Sequence, residues 1–425
     1  MGLFNGKTLL ELGTNNGSVD IVKYAAVEGA HVIVVDYLPP EKSEAKLFSH
    51  EHYLISTTDK ASLESLANKK HIDGVFCGVS ENNILSAFGL SKKIGKKWFF
   101  NKKQWDMFQK KDIFKKLCKK YGIPTPQQFV LSDKYEKDKL ALIDYPVIVK
   151  PVDSSSSRGI HICGNEEELK IGYIDALRMS PSKKVIVEKY VVGDEISATY
   201  TIINGVCRLS MLSQMYYNRE QSKMVPLPDA YIYPSKHLSK YISDMDSKVK
   251  KMITSSGLKN GSIFITGIAN EDSFWFFEAG LRLAGTLPYI FVEHINGINI
   301  MKIMTEYVLN GEINDKNAIF LEDPFLKNKI CCLYSLLNKG GRIAKVNGVD
   351  TVQNLKNVIK VIEQKKVGDI VIPDGTLNQI QIRFYIVADN ITDIKQTIKA
   401  IKQNVSVLDD FGEDMLLKSS LPDNL

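Results

Sequence analysis

The chain has 425 residues, a formal net charge of +6, 44% hydrophobic residues and 24% charged residues. That length is too great for one ordinary core and predicts about two to four domains, with the composition of a soluble globular protein. No apolar run approaches the roughly 20 residues that cross a bilayer, so a membrane-spanning helix is excluded.

The opening segment MGLFNGKTLLELG has no basic region leading into an apolar core and a cleavage site. Gly6 stands where a myristoylation pattern needs Ser or Thr, so a cytoplasmic protein with no membrane partner is expected. Residues 7–12 (KTLLEL) read as a strand, followed by the turn GTNNGS, an amphipathic helix near 18–29 and the strand HVIVVD ending at Asp36. This is a β-α-β start with a parallel sheet. Gly13 and Gly17 do not make G-x-G-x-x-G, so a dinucleotide site is only weakly indicated. A helix over 60–69, a strand over 73–79 and a helix over 82–93 continue the rhythm, giving an open parallel α/β domain over 1–100.

Lysines crowd residues 92–120. A basic stripe of this kind can bind nucleic acid. The solvated face of helices explains it better, because Trp105, Phe108 and Phe114 sit at helical rather than base-stacking spacing. Residues 101–122 read as helical, ending at Gly122 before the two prolines of GIPTP.

The segment YPVIVKPVDSSSSRG, 145–159, is the most informative. Val147, Ile148 and Val149 form a short buried strand, Lys150 ends it and Pro151 stops it. A lysine there is a fixed positive charge. The small-residue loop Ser154, Ser155, Ser156, Ser157, Arg158 and Gly159 exposes backbone N–H groups that can close around an anion such as a nucleotide phosphate. Taken alone, the fragment reads equally as a strand with a solvated serine turn.

Short alternating runs follow, among them KKVIVEKYV, EISATYTI and CRLSMLSQ. The connection 215–238 is long, polar and aromatic, and connections of this length are often functional. It offers Arg219, Lys223, Tyr231, Tyr233, Ser235, Lys236 and His237, of which the cationic groups suit a carboxylate or phosphate; a wandering surface loop is the alternative. A helix over 239–256 precedes the strands SIFITGIA and SFWFFEAG, which form a hairpin turning at Glu271–Asp272. A helix over 298–310 ends at Gly311. The last unit, 321–425, carries the strands GRIAKVNGV, DIVIP and QIQIRFYIVA and a helix near 392–403, a small α+β cap. The six cysteines include no C-x-x-C and read as reduced packing residues, and the histidines show no zinc spacing.

Lys111 eleven residues before Gly122, YPVIVKP, VIVEKYVVGDE and FFEAGLR, in that order, resemble the ATP-grasp superfamily, in particular its carboxylate–amine ligases related to biotin carboxylase, glycinamide ribonucleotide synthetase and the amino-acid ligases. The resemblance spans the whole chain. It implies α/β and α+β architecture: an N-terminal open parallel domain (1–100), a central ATP-grasp fold (101–320) with a mobile lid at about 127–190, and the C-terminal cap (321–425). It also implies ATP and magnesium (Mg2+) as cofactors, small carboxylate and amine substrates, and frequent homodimers.

By the same resemblance, Lys111 contacts the nucleotide phosphates, with Lys110 and Lys115 as rivals. Lys150 bridges the α- and β-phosphates, a task suited to a point charge, and residues 154–159 cover the β- and γ-phosphates. Glu188, Lys189, Tyr190 and Val191 occupy the adenine hinge, Glu195 matches the acid on the ribose hydroxyls, and Ile148 and Phe276 wall the base. Glu278 matches a magnesium carboxylate, and Arg282 the arginine that steadies the transferring phosphoryl group. The sequence departs from the pattern at Thr266 and Ile265, where a second acid is usual, and at Gly280, where asparagine is usual. Magnesium needs only one or two carboxylates beside phosphate oxygens and water. The expected activity is ligation through an acyl phosphate. The alternatives are an ATP-binding protein with weak or lost activity, motivated by Thr266 and Gly280, and a nucleic-acid-binding module using 92–120.

Overall fold

The computed structural model describes residues 2–131, 140, 142–152, 159–217, 227–419, 421, 423 and 425. The N-terminal sheet is parallel, with β1 (Thr8–Leu12), β2 (His31–Val35), β3 (Glu51–Tyr53) and β4 (Gly74–Phe76) in the order β3-β2-β1-β4. Leu9, Leu10, Val32, Ile33, Val34, Val35 and Val75 are fully buried, as apolar runs in a sheet covered on both faces must be. The strand order reverses between β1 and β4, and the loops after these strands open there at their carboxyl ends, where open α/β sheets form crevices. Asn15 ties the two loops together, its Oδ1 accepting from the Val79 N–H at 2.6 Å.

The stretch 101–122 forms two helices, Lys102–Gln109 and Lys111–Lys120, rather than one. Asn101 and Gln104 make a reciprocal capping box on the first, and Lys110 is extended between them. No Gly or Pro marks the break. Trp105, Phe108 and Phe114 are buried core residues. Several of the lysines are paired with acids: Lys93 with Glu64, Lys96 with Asp73, and Lys102 and Lys110 with Asp106.

Residues from 128 to 189 build a four-stranded antiparallel sheet, with β5 (Gln128–Phe129), β6 (Val147–Pro151), β7 (His161–Cys163) and β8 (Val185–Lys189) in the order β5-β8-β6-β7. The helix Glu166–Met179 covers one face, packing Leu169, Tyr173 and Ala176 against Val147, Val149 and Cys163. Ile148, between the two buried valines, faces the other way.

An eight-stranded antiparallel sheet forms the centre of the molecule. It takes β9 (Asp194–Ile203), β10 (Val206–Tyr217), β11 (Pro228–Tyr233), β12 (Gly261–Ala269), β13 (Phe274–Gly280) and β14 (Ile330–Leu337). Four short strands follow β14 outside or beside it: β15 (Gly341–Arg342), β16 (Lys345–Asn347), β17 (Val358–Glu363) and β18 (Ile370–Val371). β19 (Ile380–Ala388) and β20 (Ser406–Leu408) complete the set. The central order is β13-β12-β9-β10-β11-β14-β19-β17, so strands from the last hundred residues extend the sheet begun by β9. Part of the expected surface connection 215–238 is thus interior: β11 joins β10 to β14, while Arg219 and Lys223 lie outside the described residues. The sequence reading also omits β14, β17 and the helix Tyr289–Asn296. Asp20 links the parts, accepting from Tyr289 Oη at 2.8 Å and from Lys360 Nζ at 2.6 Å.

Candidate active site

A cleft of about 2900 Å³ runs between the small antiparallel sheet, the central sheet, the N-terminal loops and the C-terminal strands. Its first wall is the cleft face of β6 and β8. Alternation along β6 buries Val147 and Val149 and turns Ile148 and Lys150 to the cleft. Lys150 Nζ lies 2.9 Å from Glu188 Oε2 and 5.0 Å from the Phe277 ring. Lys115 meets the other oxygen of the same carboxylate, and Glu188 is fully buried. Burial, with the charges of Lys115 and Lys111, pushes Lys150 down to about 7, against the pull of Glu278 and Glu195. Burial and Lys111 push Lys115 down to about 8.

Lys111, the first residue of its helix, also lines the cleft. At the expected hinge, the Glu188 carboxylate is engaged by two lysines, Lys150 and Lys115. The Lys189 ammonium bonds the carbonyls of Asp144 and Tyr145, at 3.1 and 3.0 Å. The Tyr190 N–H donates to the Pro146 carbonyl at 3.0 Å, and Lys189, Tyr190 and Val191 all line the cleft. Ser154, Ser155, Ser156, Ser157 and Arg158 lie outside the described residues. Gly159 has φ +71° beside Pro151 and Met179, a conformation that favours glycine.

The second wall is the central sheet. Cross-strand register sets Glu278 (β13) opposite Thr266 (β12), Thr266 opposite Ser197 (β9) and Ser197 opposite Ser213 (β10), a polar row across four strands. Glu195, two residues before Ser197, shares that face and accepts a hydrogen bond from Tyr217 Oη. Burial and the neighbouring Glu278 push Glu195 up to about 7, against the Tyr217 bond and Lys150. The two acids and Lys150 thus share one electrostatic neighbourhood.

Phe276 is not a wall of the cleft. It is fully buried behind the sheet against Tyr241 and Phe274, and its neighbour Phe277 faces the cleft over Lys150. The period of two in FWFFEAG puts Phe277 on the opposite face from Phe276 and Glu278, but a bulge between Thr266 and Gly267 resets the register.

Gly280 has a steric cause. A Cβ there would lie 2.3 Å from the Phe264 ring. Phe264 in turn carries the Arg282 guanidinium, 4.9 Å from its centroid. Arg282 also reaches Glu81 at 3.3 Å and the Leu283 carbonyl at 3.0 Å, so it bridges to the N-terminal domain.

No group of three or more His, Cys, Asp or Glu side chains suited to a metal ion occurs among the described residues. The donors present are Glu278, Glu195 and the hydroxyls of Thr266 and Ser197. They fit one hard cation whose remaining ligands are phosphate oxygens and water, and they do not supply a two-ion set. Lys236 and His237, taken as substrate cations, both pair with Asp194, at 2.9 and 2.7 Å. Sequence reading missed Lys115 as the partner of Glu188, and Phe264, Phe277 and Tyr217 as cleft residues. The YY of MYY and the alternation of β12 were the available signals.

Residues 143–288 match the ATP-grasp domain family. Over 312 residues the chain is 24% identical to the carbamoyl phosphate synthase large chain of Clostridium beijerinckii, covering 70% of this chain and 28% of that protein. Over 226 residues it is 26% identical to the C-terminal section of the Methanopyrus kandleri large chain, covering 52% and 41%. The chain spans less than half the length of these curated relatives. Among solved structures it is similar to phosphoribosylglycinamide synthetase from Anaerococcus prevotii, with TM-score 0.72 and 18% identity over 95% of this chain and 100% of that one. It is also similar to L-amino acid ligase from Bacillus licheniformis, with TM-score 0.75 and 14% identity over 96% and 99%. A third is the biotin carboxylase domain of the Hydrogenobacter thermophilus 2-oxoglutarate carboxylase, with TM-score 0.74 and 19% identity over 98% and 92%. The chain therefore has the ATP-grasp fold. It carries an ATP-grasp domain over residues 143–288, which includes Lys150, Glu188, Glu195, Glu278 and Arg282. No helix among the described residues is long and apolar enough to cross a membrane.

Proposed function

We propose that the protein is an ATP-dependent ligase that joins a small carboxylate to an amine. The carrying observation is the meeting of Lys150 from one sheet with Glu195 and Glu278 from the other, in a cleft that also holds Arg282. ATP is placed between the two walls, with Ile148 and Val191 toward the base and Lys150 and Lys111 toward the phosphates. Glu278 would hold a magnesium ion, which would supply charge neutralisation at the transferring group. Lys150 must leave Glu188 to reach a phosphate, and Lys115 remains to neutralise Glu188 when it does. Arg282 offers its guanidinium to the equatorial oxygens of the γ-phosphoryl group.

A substrate carboxylate oxygen attacks the γ-phosphorus, and the bond to the ADP oxygen breaks. The amine nitrogen then attacks the acyl carbon and phosphate leaves; loss of a proton from nitrogen completes the amide. An acyl phosphate is easily hydrolysed, so closure of the 127–190 region over the cleft protects it from water.

A second reading keeps ATP binding without efficient ligation. Phe264 favours it, since this ring fills the space a side chain would need at position 280, where asparagine is usual. Magnesium-dependent ADP release, assayed over paired amino acids and small carboxylic acids, separates the two. Amide formation with one pair supports the ligase; tight ATP binding with no turnover on any pair supports the second reading.

A further inference from the structure

Among the described residues, one buried cation of the cleft bonds a main-chain carbonyl and a phenol, Tyr385, but no acid. Arg383, on β19, is 5% exposed and lines the cleft from the C-terminal side. Its Nη1 donates to the Gly285 carbonyl at 2.6 Å, and its Nε has no hydrogen-bond partner. The arginine ion pairs among the described residues are those of Arg282 with Glu81 and Arg342 with Asp410. Arg383 is therefore a buried guanidinium with no carboxylate in contact among those residues. Burying an unpaired charge is costly, and proteins retain such a group when something else neutralises it.

The surroundings are built for an anion rather than a structural acid. Register runs from Met215 through Tyr231 and Leu333 to Tyr385 across β10, β11, β14 and β19, and Arg383 lies two residues from Tyr385 on the same face. Tyr385 Oη donates to the Thr286 carbonyl at 3.1 Å. Tyr231 lines the cleft between Arg383 and Glu195, whose charges act on its phenol in opposite directions. A guanidinium and a phenol on one face of a cleft suit a planar or tetrahedral oxyanion, and arginine binds both kinds well. The site is distinct from Arg282, which stacks on Phe264 at the other end of the same loop.

We propose that Arg383, with Tyr231, binds an anionic group of a substrate, a carboxylate or a phosphate, apart from the group that reacts. This rests on the ligase reading, and it makes the substrate two-headed: one end at Glu278 and Arg282, an oxyanion at the other. Arg383 is then a specificity-determining residue, and its bond to Gly285 places substrate recognition three residues from Arg282.

The test is calorimetric titration with inorganic phosphate and with succinate, after a non-hydrolysable ATP analogue has filled the nucleotide site. Saturable binding of either probe is expected, at least tenfold weaker in both Arg383→Met and Arg383→Lys. Phosphate alone indicates a phosphorylated substrate and succinate alone a dicarboxylate. Arg383→Lys keeps the charge and removes the fork, so it serves if Arg383→Met does not fold. An arginine kept only for the Gly285 bond would lower the thermal midpoint on substitution and leave probe affinity unchanged, which overturns the proposal. Absence of saturable probe binding to the wild type also overturns it. Failure of the analogue to bind the wild type removes the ligase reading instead, and probe titration without the analogue still reports on Arg383.

Discussion

Lys150 and Glu188 form an ion pair at 2.9 Å across adjacent antiparallel strands, and Lys115 approaches the same carboxylate from the helix below. One fully buried acid thus holds two ammonium groups. The arrangement holds Lys150 at the cleft and gives Glu188 a second cationic partner in Lys115.

Glu188→Gln leaves both ammonium groups buried without a carboxylate in ion-pair contact. Removing one member of a buried charge cluster costs about 3–5 kcal/mol. Urea unfolding of the nucleotide-free protein should show a loss of that size, partly recovered by adding Lys115→Met. An unchanged midpoint in Glu188→Gln would mean that the cluster contributes nothing to stability.

Lys150→Ala removes the charge proposed to meet the phosphates but leaves Glu188 paired with Lys115. The fold should persist, and ATP affinity should fall roughly 10- to 100-fold, the scale of one charge-assisted contact. Calorimetry with ATP and magnesium measures it; wild-type affinity in a folded variant contradicts the phosphate role.

Glu195 gives the free protein a pH signature. Its folded value of about 7 lies above that of an ordinary glutamate, so the native state holds a proton that the unfolded chain gives up. The resulting stability is complete below about pH 4.3, the ordinary glutamate value, and is lost as pH rises through 7. Because the cleft is open to water, the contribution is on the order of 2 kcal/mol rather than the full shift. Unfolding free energies at pH 5 and pH 8 should differ less in Glu195→Gln than in wild type. An identical pH dependence in the two proteins would contradict the assignment.

The parts of the fold legible in sequence are those where pattern and punctuation agree. The helix Lys60–Lys69 and the hairpin of β12 and β13 have clear periods and turn residues. β14 was illegible because ICCLYSLL is apolar throughout, as a strand buried on both faces is, and such a run carries no period. β11 was hidden by Pro228 and by the polar residues around it. Arg383 sits within a recognisable strand, QIQIRFYIVA, but nothing local says that this strand lies beside β14 and that Arg383 lines the cleft. Glu188 shows the same limit: VIVEKY reveals a strand end, while the two lysines that meet its acid come from the neighbouring strand (Lys150) and from a helix well before it in the chain (Lys115).

Gly280 and Phe264 set the last prediction. The usual asparagine at 280 cannot be installed alone, because its Cβ would fall 2.3 Å from the Phe264 ring, which is also the platform for Arg282. Gly280→Asn should destabilise the protein by about 1–3 kcal/mol, the range for overpacking, and should displace Arg282. Phe264→Ala in the same chain opens the space, so the double variant should be more stable than the sum of the two single changes. If position 280 is where a metal ligand belongs, the double variant should also bind nucleotide with a steeper dependence on magnesium than the wild type. Thermal midpoints of the four proteins, with ATP-analogue titrations at low and high magnesium, read both effects. Additive midpoints would show that Phe264 does not hold position 280 to glycine, and an unchanged magnesium dependence would show that the asparagine, once admitted, does not face the metal.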